Sequence, residues 1–363
     1  MITQADRLDI VPGLPESWDE QAGPSLATAT ERWIRLGEHR LGAPLVTAVL
    51  TAPAGGHDVM MTGAVLAEPG TNPRMDPYLI LSGQSTGDGL LADGPHPWRK
   101  VPAASVFPSL LLMFPNYETA PVGRRSRDPA ALAAFLRGLR TCAQARDIHS
   151  ISLLYLSHER PEFEAALQEA GWAVQTMTHR CDLAVTWHEF DGYLATFSSK
   201  RRVAVRRELR ALSDAGVHLS EDNLQACDPQ DMVALRLQLM NRYGGPADAE
   251  RELRLLTQLA TTFPSGAVTV VRARLGDRLL GFTLLVQSGE RWTALMTASD
   301  YTHPASRLCY FATCYYLPAS SAPSRGVRTI AYGMGSWEAK RLRGCQLAPV
   351  LVAFTLIDGQ EIS

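Results

Sequence analysis

The order of strand and helix patterns restricts the fold of this chain more than any other feature of its sequence. In the first half, three strand patterns are followed by helix, strand, helix and strand, ending near residue 185. In the second half, three helix patterns precede the same order of three strands, helix, strand, helix and strand. This recurrence predicts an α/β fold with mixed α+β sheets, built from two similar domains at residues 1–185 and 186–363.

A cluster of cations at the start of a predicted helix is the second informative feature. Six of the eleven residues from Lys200 to Arg210 are basic, although the formal net charge of the chain is only −2. The helix begins after Ser198 or Ser199, and its N-terminus carries a partial positive charge of about +0.5. We therefore expect Ser199, Lys200, Arg201 and Arg202 to bind an anionic substrate group, with a solvated surface as the alternative.

A glycine-rich turn near residue 335 is the third feature. Residues 332–344 read Tyr-Gly-Met-Gly-Ser-Trp-Glu-Ala-Lys-Arg-Leu-Arg-Gly, in which a strand ends and a short helix capped by Ser336 is predicted to begin. The alternative is a tight turn followed by a basic last turn of helix. We predict that this segment shares the anion site of the basic helix through Gly335, Ser336, Glu338, Lys340 and Arg343.

Composition excludes several classes of protein. Hydrophobic residues make up 46% of the chain and charged residues 20%, which is typical of a soluble globular protein. No run of about 18 apolar residues and no signal-peptide pattern is present, so we expect a cytoplasmic protein without a membrane span. The six cysteines lack a C-x-x-C pair and the nine histidines lack a ligand spacing, which predicts reduced thiols and no metal site.

The first half also contains a helix near its start and a long irregular segment. Apolar residues including Trp33, Ile34 and Leu36 predict a helix over about 25–40, and residues 54–57 predict a turn between two strands. Residues 82–108 are rich in Gly, Asp and Pro and predict no regular structure. Because long loops in compact domains are usually functional or disordered, we interpret this segment, with His96 and Trp98, as a cover over a cleft.

Three motifs together resemble a known family. They are Ser198-Ser-Lys-Arg-Arg, then Asp300-Tyr with Tyr310-Phe311, then Gly333-x-Gly335-x-x-Glu-Ala-Lys340-x-x-Arg343-Gly344. In these motifs the chain is similar to the FemAB-like (peptidoglycan biosynthesis/recognition) branch of the GNAT acyltransferase superfamily, over about residues 186–349 and more loosely before them. The resemblance implies tandem GNAT-like domains with an inserted basic helical segment. It also implies acyl or aminoacyl transfer at a site in the second domain or between the two.

The donor is left open by the sequence. GNAT acyltransferases carry an Arg/Gln-x-x-Gly-x-Gly/Ala loop for the coenzyme A pyrophosphate. The nearest run here, residues 341–346, fails at its last position. No cofactor is therefore assigned, and the resemblance allows either acyl-CoA or aminoacyl-tRNA, whose phosphates would suit the basic helix. We expect a small-molecule amine with an anionic group as the acceptor. Contact with tRNA is a second expected interaction if aminoacyl-tRNA is the donor. No oligomeric state is assigned from the sequence.

Transfer of an acyl group to an amine requires a base, a proton donor and a site for the negative charge on the carbonyl oxygen. Asp300, at a strand end, is the predicted base, with a turn role as the alternative. Tyr310 or Tyr332 is the predicted proton donor, with an aromatic core role as the alternative. Backbone N–H groups near Gly335 and Ser336 are predicted to stabilise the oxyanion.

Two other functions fit the same residues. A natural-product enzyme of this fold could eliminate a sulfate or phosphate while a substrate amine attacks and closes an aziridine-type ring. A clamp of five cations would stabilise the departing anion: Lys200, Arg201, Arg202, Lys340 and Arg343. The second alternative is a non-catalytic protein that binds an anionic metabolite or tRNA.

Overall fold

The chain forms two compact units. A computed structural model describes residues 7–22, 26, 28–52, 55–85, 90–91, 94–245 and 247–357. The first unit comprises Met1–His179 together with Ala348–Ser363, and the second comprises Arg180–Leu347. The predicted boundary at 185/186 therefore differs from the observed one. The reason is that the last strand of the chain pairs with a strand of the first unit, so it does not belong to the second.

The first unit contains a mixed sheet. Its strands, in chain order, are β1 (Arg7–Pro12), β2 (Leu45–Thr51), β3 (His57–Leu66), β4 (Ser109–Leu112), β5 (Ser150–Ser157), the first part of β6 (Ala173–Ala184) and most of β12 (Gln346–Leu356). Strands β1 to β5 lie in sequential order and β12 pairs with β5. The β4–β5 pair is parallel, whereas the other described pairs are antiparallel.

Five helices accompany these strands in the described part of the unit. They are α1 (Trp18–Ala22), α2 (Glu31–Gly37), α3 (Pro77–Leu81), α4 (Pro129–Ala145) and α5 (Pro161–Glu169). The longest, α4, packs on the strands through apolar residues that recur at helical spacing. Helix α4 begins as predicted: the Asp128 carboxylate accepts a hydrogen bond from the N–H of Ala131 at 2.8 Å, and Pro129 fills the first position. Its buried side chains join the core of the unit, among them Leu132, Phe135, Leu136 and Leu139.

The irregular segments of the first unit are packed more closely than predicted. The indole of Trp98 is fully buried, with its ring centroid 5.6 Å from that of Phe354, so it belongs to the core and does not cover an open cleft. Residues 86–89 and 92–93 of the same segment lie outside the described residues. The helix predicted over 25–40 is confined to α2 and a 3₁₀ turn at Glu38–Leu41. Its predicted start at Ser25 and part of the predicted turn, at Ala54, also lie outside the described residues.

The second unit also contains mixed strand pairing, formed by the end of β6 with β7 (His218–Asn223), β8 (Val268–Leu275), β9 (Arg278–Ser288), β10 (Arg291–Ser299) and β11 (Thr329–Met334). The spatial order is β6, β11, β10, β9, β8, β7. Strand β7 was not predicted, because its sequence HLSEDN is polar and it pairs only with β8 at one edge. The β10–β11 pair is parallel.

The helices of the second unit are α6 (Phe190–Ala195), α7 (Ser199–Asp214), α8 (Pro229–Arg242), α9 (Ala249–Thr262), α10 (Ser306–Phe311), α11 (Leu317–Ser321) and α12 (Trp337–Arg341). Helix α7 is the predicted basic helix, and α10 continues through a π-helical turn at Ala312–Tyr316 into α11. Within the described residues, no helix combines the length and apolar character needed to cross a bilayer.

Candidate active site

Strands β10 and β11 pair over only part of their length. The parallel pairing joins Arg291–Thr293 to Thr329–Ala331 and then stops, although both strands continue. Against β9, strand β10 has a register shift between Ala294 and Met296, and β11 has a shift against β6 between Ala331 and Met334. Such bulges bend a strand and leave the extra residue outside the ladder. The two carboxyl ends are therefore free to line a site.

A cavity of about 200 Å³ opens at these strand ends. Residues 294–297 of β10 form one wall, and Tyr332, Met334 and Ser336 form another. The remaining lining residues come from α10, the π-helical turn and α12: Tyr310, Cys314 and Lys340. The carboxyl ends of parallel strands are where α/β proteins commonly bind their ligands. Four predicted site residues thus meet in one place, namely Tyr310, Tyr332, Ser336 and Lys340.

Lys340 has a different role from the one predicted. Its side chain is buried, at 7% exposure, and its ammonium donates to the carbonyls of Tyr332 at 2.7 Å, Gly333 at 3.1 Å and Met334 at 2.9 Å. Burial lowers the pKa of Lys340 below its usual range. Since an ammonium has three N–H donors, all of them are used to hold the end of β11. These contacts disfavour the predicted direct binding of an anion by Lys340.

Tyr332 lies in the cavity wall, and its hydroxyl is buried. The residue is 6% exposed, its ring centroid lies 4.8 Å from that of Tyr315, and its hydroxyl has no hydrogen-bond partner in the described part of the chain. Burial raises the pKa of Tyr332 well above its ordinary value, so the phenol stays protonated. A buried hydroxyl without a partner costs about 1–3 kcal/mol, which a bound ligand would recover.

Tyr310 and Cys314 complete the polar part of the cavity. The Tyr310 hydroxyl lies 3.4 Å from that of Tyr315, and the π-helical turn places Cys314 in the wall. Burial raises the pKa of Cys314 to about 11 and also raises the pKa of Tyr310. Both groups are therefore neutral at neutral pH. Sequence reasoning missed Cys314 because no local pattern signals a π-helical turn.

Asp300 does not line this cavity. Its buried carboxylate accepts hydrogen bonds from the Arg278 guanidinium, at 2.8 Å from Nε, and from the N–H of Thr302 at 3.0 Å and its hydroxyl at 2.6 Å. Burial alone would raise the pKa of Asp300, but the hydrogen bonds from Thr302 and Arg278 outweigh it and lower the pKa. A carboxylate with a lowered pKa and occupied oxygens is a poor base, so these contacts favour the alternative, a turn role.

The cations at the start of α7 are largely used within the unit. The Ser198 hydroxyl caps the helix by accepting from the N–H of Arg201. Arg202 donates to the carbonyl of Phe197 at 2.6 Å and to the Ser199 hydroxyl at 2.9 Å. Arg201 donates to Tyr316 at 3.0 Å and, as a second partner, lies 3.6 Å from a carboxylate oxygen of Glu208. Neither guanidinium is placed in the cavity wall, and Lys200 is exposed.

The glycine turn before α12 is confirmed in position but not in its cap. Gly335 has φ +76° and Ser336 has φ +48°, so Ser336 is left-handed and its side chain makes no capping hydrogen bond. Arg343 is 4% exposed and lies 3.5 Å from the ring centre of Phe311, with one N–H donated to the carbonyl of Ala339 at 2.6 Å. Glu338 is exposed and lines no part of the cavity.

The predicted five-cation clamp is therefore not assembled. Lys340 is bound by carbonyls, Arg201 and Arg202 by groups next to α7, and Arg343 by an aromatic ring. Local sequence could not show this, since Arg201 and Arg343 are held by tertiary contacts to Tyr316 and Phe311, whereas Lys200 is exposed. Among the described residues, no group of three His, Cys, Asp or Glu side chains is arranged to hold a metal ion.

Mixed strand pairing covered by helices, with a cavity between separating parallel strands, gives the mixed α/β fold class that was predicted. The family model for FemAB-like proteins, described as peptidoglycan biosynthesis/recognition, matches residues 107–360. The chain belongs to this family, and the predicted resemblance is confirmed.

Solved structures support the same fold. FemX aligns with a TM-score of 0.56 and 11% identity, over 89% of this chain and 90% of FemX. The C-terminal domain (DUF2156) of a putative lysylphosphatidylglycerol synthetase from Agrobacterium fabrum aligns with a TM-score of 0.53 and 12% identity, over 93% and 89% of the two chains. A search of curated protein sequences found no significant match. At these identities the likeness establishes the fold alone.

Proposed function

We propose that this protein transfers an acyl or aminoacyl group to the amine of a small molecule, and that the reaction takes place in the cavity of the second unit. The observation that carries the proposal is the cavity at the ends of β10 and β11, whose wall includes Tyr332, a tyrosine with a buried hydroxyl that has no partner in the described residues. A neutral phenol in this position is suited to donate a proton or a hydrogen bond to a reacting oxygen.

The acceptor amine reaches the carbonyl in its neutral form. Among the described residues, those that line the cavity include no carboxylate and no imidazole that could act as base. The positive charge of Lys340, which is part of the lining, instead disfavours the charged ammonium form of a bound amine. The amine nitrogen then attacks the carbonyl carbon, a C–N bond forms, and negative charge develops on the carbonyl oxygen.

The chain offers several donors for this charge. Leu295 is the extra residue of the β10 bulge, and no acceptor occurs among the described residues for the N–H groups of Gly335 and Ser336. The positive charge of Lys340 lies behind the same wall. As the bond to the leaving group breaks, Tyr332 or Tyr310 gives it a proton and regains one from the attacking nitrogen. The net products are an amide and the protonated leaving group.

The donor we favour is aminoacyl-tRNA, with acyl-CoA as the alternative. Helix α7 exposes Lys200, Arg207 and Arg210, for which no ion pair or side-chain hydrogen bond is found in the described part of the chain. Exposed cations on one helix suit the phosphates of a nucleic acid, and binding through them weakens steeply with salt. A donor of this kind agrees with the expected cytoplasmic location.

The proposal is tested by supplying donors and amines directly. The protein is incubated with aminoacyl-tRNA or acyl-CoA and a panel of small amines, and amide products are measured by mass spectrometry. We expect donor-dependent amide formation by the wild type and by Tyr243→Phe, whose hydroxyl lies on an exposed residue, and strong loss in Tyr332→Phe. Absence of amide with every donor, or equal activity in Tyr332→Phe, would contradict the proposal.

Elimination of sulfate or phosphate with aziridine closure has weaker support. That reaction depends on a clamp of free cations, whereas the ammonium of Lys340 and the guanidinium of Arg202 are already bound by carbonyls. Detection of free sulfate or phosphate released from a sulfated or phosphorylated amino acid would restore the elimination reaction as a candidate. A purely binding protein would show tRNA affinity without any amide product.

A further inference from the structure

Two arginines of the second unit lie against the ring of one phenylalanine. The guanidinium carbon of Arg343, which follows α12, lies 3.5 Å from the ring centre of Phe311. The guanidinium carbon of Arg307, in α10, lies 5.5 Å from the same ring centre. The ring attracts both cations, but it carries no net charge of its own. The two positive charges are therefore brought together and not neutralised by this contact.

Arg343 is buried with much of its hydrogen-bonding capacity unused. Its side chain is 4% exposed, and its Nη1 donates to the carbonyl of Ala339 at 2.6 Å. Its Nε is buried without an acceptor, and none is found for Nη2 within the described ranges. A guanidinium has five N–H donors, and a buried charge is normally paired with an opposite charge. Arg343 is thus prepared to donate to an anion.

Acidic side chains do not balance this pair of arginines. In the part of the chain that the structure describes, neither Arg307 nor Arg343 has a carboxylate at ion-pair distance. The carboxylate of Glu208 is engaged elsewhere, because it accepts from the hydroxyl of Tyr316 and lies 3.6 Å from a guanidinium nitrogen of Arg201. The Arg307–Arg343 pair therefore carries an uncompensated positive charge, which an anionic ligand would stabilise.

One layer of aromatic rings separates this pair from the cavity. Tyr310 lines the cavity, and its ring centroid lies 5.5 Å from that of Phe311. The guanidinium of Arg343 also lies 5.2 Å from the ring centre of Tyr315, which packs 4.8 Å from the ring of Tyr332 in the cavity wall. A π-helical turn begins directly after Phe311, and such turns are frequent at functional sites. An anion held by the pair would lie beside the cavity and not within it.

We infer that Arg307 and Arg343 form a binding site for a phosphate group of a substrate whose reacting end enters the cavity. Guanidinium groups bind phosphate oxygens through paired N–H donors, and two of them match the charge of a phosphate monoester, about −1.5 to −2 at pH 7. The inference rests on the proposed function, since the phosphate belongs either to the nucleotide end of the donor or to the acceptor amine.

Inorganic phosphate tests the site without any transfer reaction. The full chain is titrated with phosphate, and separately with acetate, by isothermal titration calorimetry at constant ionic strength. We expect saturable binding of phosphate that is at least about tenfold tighter than that of acetate, because a dianion pairs with both cations. Phosphate that does not saturate the protein, or acetate that binds as tightly, would overturn the inference.

Three variants assign the binding to this pair. Arg307→Gln removes an exposed charge and should weaken phosphate binding about tenfold. Arg343→Gln should weaken it at least as much, with its fold checked by circular dichroism because the side chain is buried. Arg341→Gln removes an exposed cation of α12 and is the matched control, which should bind phosphate within about twofold of the wild type. Equal affinities in Arg307→Gln and Arg341→Gln would contradict the assignment.

Two further probes distinguish the sources of the phosphate. O-Phosphoethanolamine represents a phosphorylated acceptor amine, and the trinucleotide cytidylyl-cytidylyl-adenosine represents the end of an aminoacyl-tRNA donor. The probe whose affinity falls about tenfold in Arg307→Gln, and not in Arg341→Gln, identifies the substrate that carries the phosphate. If neither probe loses affinity in Arg307→Gln, the inference is overturned.

The transfer assay separates this inference from the proposed function. A protein that binds phosphate through Arg307 but forms no amide from any donor would contradict the proposed function and leave the phosphate site intact. A protein that forms amide, and in which Arg307→Gln changes neither phosphate affinity nor kcat/KM, would contradict the inference and leave the proposed function intact.

Discussion

The two units contain equivalent parallel strand pairs that end differently. In the first unit, β4 and β5 pair from Ser109 and Ser150 to Leu112 and Leu153. In the second unit, β10 and β11 pair over three residues and then leave a cavity of about 200 Å³. The same connection of strands thus produces a site in one unit, and the residues beyond the paired segment decide whether the space remains open.

The strand ends of the first unit are filled by its own chain. Thr119 resumes parallel pairing with β5, through hydrogen bonds from its N–H to the carbonyl of Tyr155 at 2.8 Å and from the N–H of Ser157 to its carbonyl at 2.9 Å. Tyr155 is 1% exposed, has φ +59°, and donates its hydroxyl to the carbonyl of Arg74 at 2.5 Å. Its ring centroid lies 4.9 Å from that of Tyr117.

The two units also differ in the hydrogen bonding of a buried tyrosine at the strand ends. Tyr155 has a protein acceptor for its hydroxyl, whereas Tyr332 has none among the described residues. A cavity near the end of β5, beside Arg160, measures about 10 Å³ and has room for about one water molecule. The two units therefore share a strand order, and we propose that the larger cavity beside Tyr332 is where a ligand binds.

The largest expected effect comes from removing the Lys340 ammonium, which binds the backbone carbonyls at the end of β11. Lys340→Met leaves the carbonyls of Tyr332, Gly333 and Met334 without their donor, and should lower the free energy of unfolding by about 2–4 kcal/mol. The measurement is urea denaturation. Lys200→Met, at an exposed position, is the matched control and should change stability by less than about 0.5 kcal/mol. Equal small effects would show that Lys340 does not support the strand.

Exchanging the two tyrosines for phenylalanine should give opposite results. Tyr332→Phe should lower kcat/KM for amide formation about 100-fold, without loss of stability, because its hydroxyl has no partner to lose. Tyr155→Phe should leave kcat/KM unchanged and lower the free energy of unfolding by about 1 kcal/mol, because it loses the bond to Arg74. If both variants lost activity alike, the contrast between the units would fail.

Asp300 should matter for stability and not for turnover. Asp300→Asn weakens the hydrogen bonds with Arg278 and Thr302 and should lower the free energy of unfolding by about 1–2 kcal/mol, with kcat/KM unchanged. The pKa of this carboxyl is lowered in the folded protein. Its contribution is therefore present above the unfolded value of about 3.9 and is lost as pH falls through the folded value. Acid titrations of stability should accordingly be less steep in the variant, and a large loss of kcat/KM would restore Asp300 as a base.

The pH dependence of turnover should show no tyrosine ionisation below about pH 10. Burial raises the pKa of Tyr310 and of Tyr332, so both stay protonated throughout this range. We expect kcat/KM to rise with pH as the acceptor amine loses its proton and then to remain level. A basic limb near neutral pH that disappears in Tyr332→Phe would contradict a neutral phenol as donor.

Local sequence predicted the features of the fold that depend on local contacts. The cap of α4 at Asp128, the cap of α7 at Ser198 and the glycine turn at Gly335 each depend on residues a few positions apart. Strand β7 was not predicted because its sequence is polar, and its strand conformation depends on the hydrogen bonds that it forms with β8. The boundary between the units escaped prediction because it depends on the partner of β12.

The candidate site was less predictable because most of the cations that stand out in the sequence do not line the cavity of the folded chain. Lys340 and Arg343 stand out in the sequence as cations, yet carbonyls and an aromatic ring hold them. Tyr332 was proposed as a proton donor from its position in the motif, and its free hydroxyl is visible only in three dimensions. Cys314 carries no motif, and a π-helical turn brings it to the wall.

The central claim is that the acyl group is held beside Tyr332 in the second unit. A crystal structure with an amide-linked 3′-aminoacylamino-3′-deoxyadenosine, a stable analogue of the aminoacyl-tRNA end, tests it most directly. We expect the acyl chain inside the cavity, with its carbonyl or side chain within hydrogen-bond distance of the Tyr332 hydroxyl. An acyl chain bound in the first unit, or outside the cavity with the Tyr332 hydroxyl still without a partner, would contradict it.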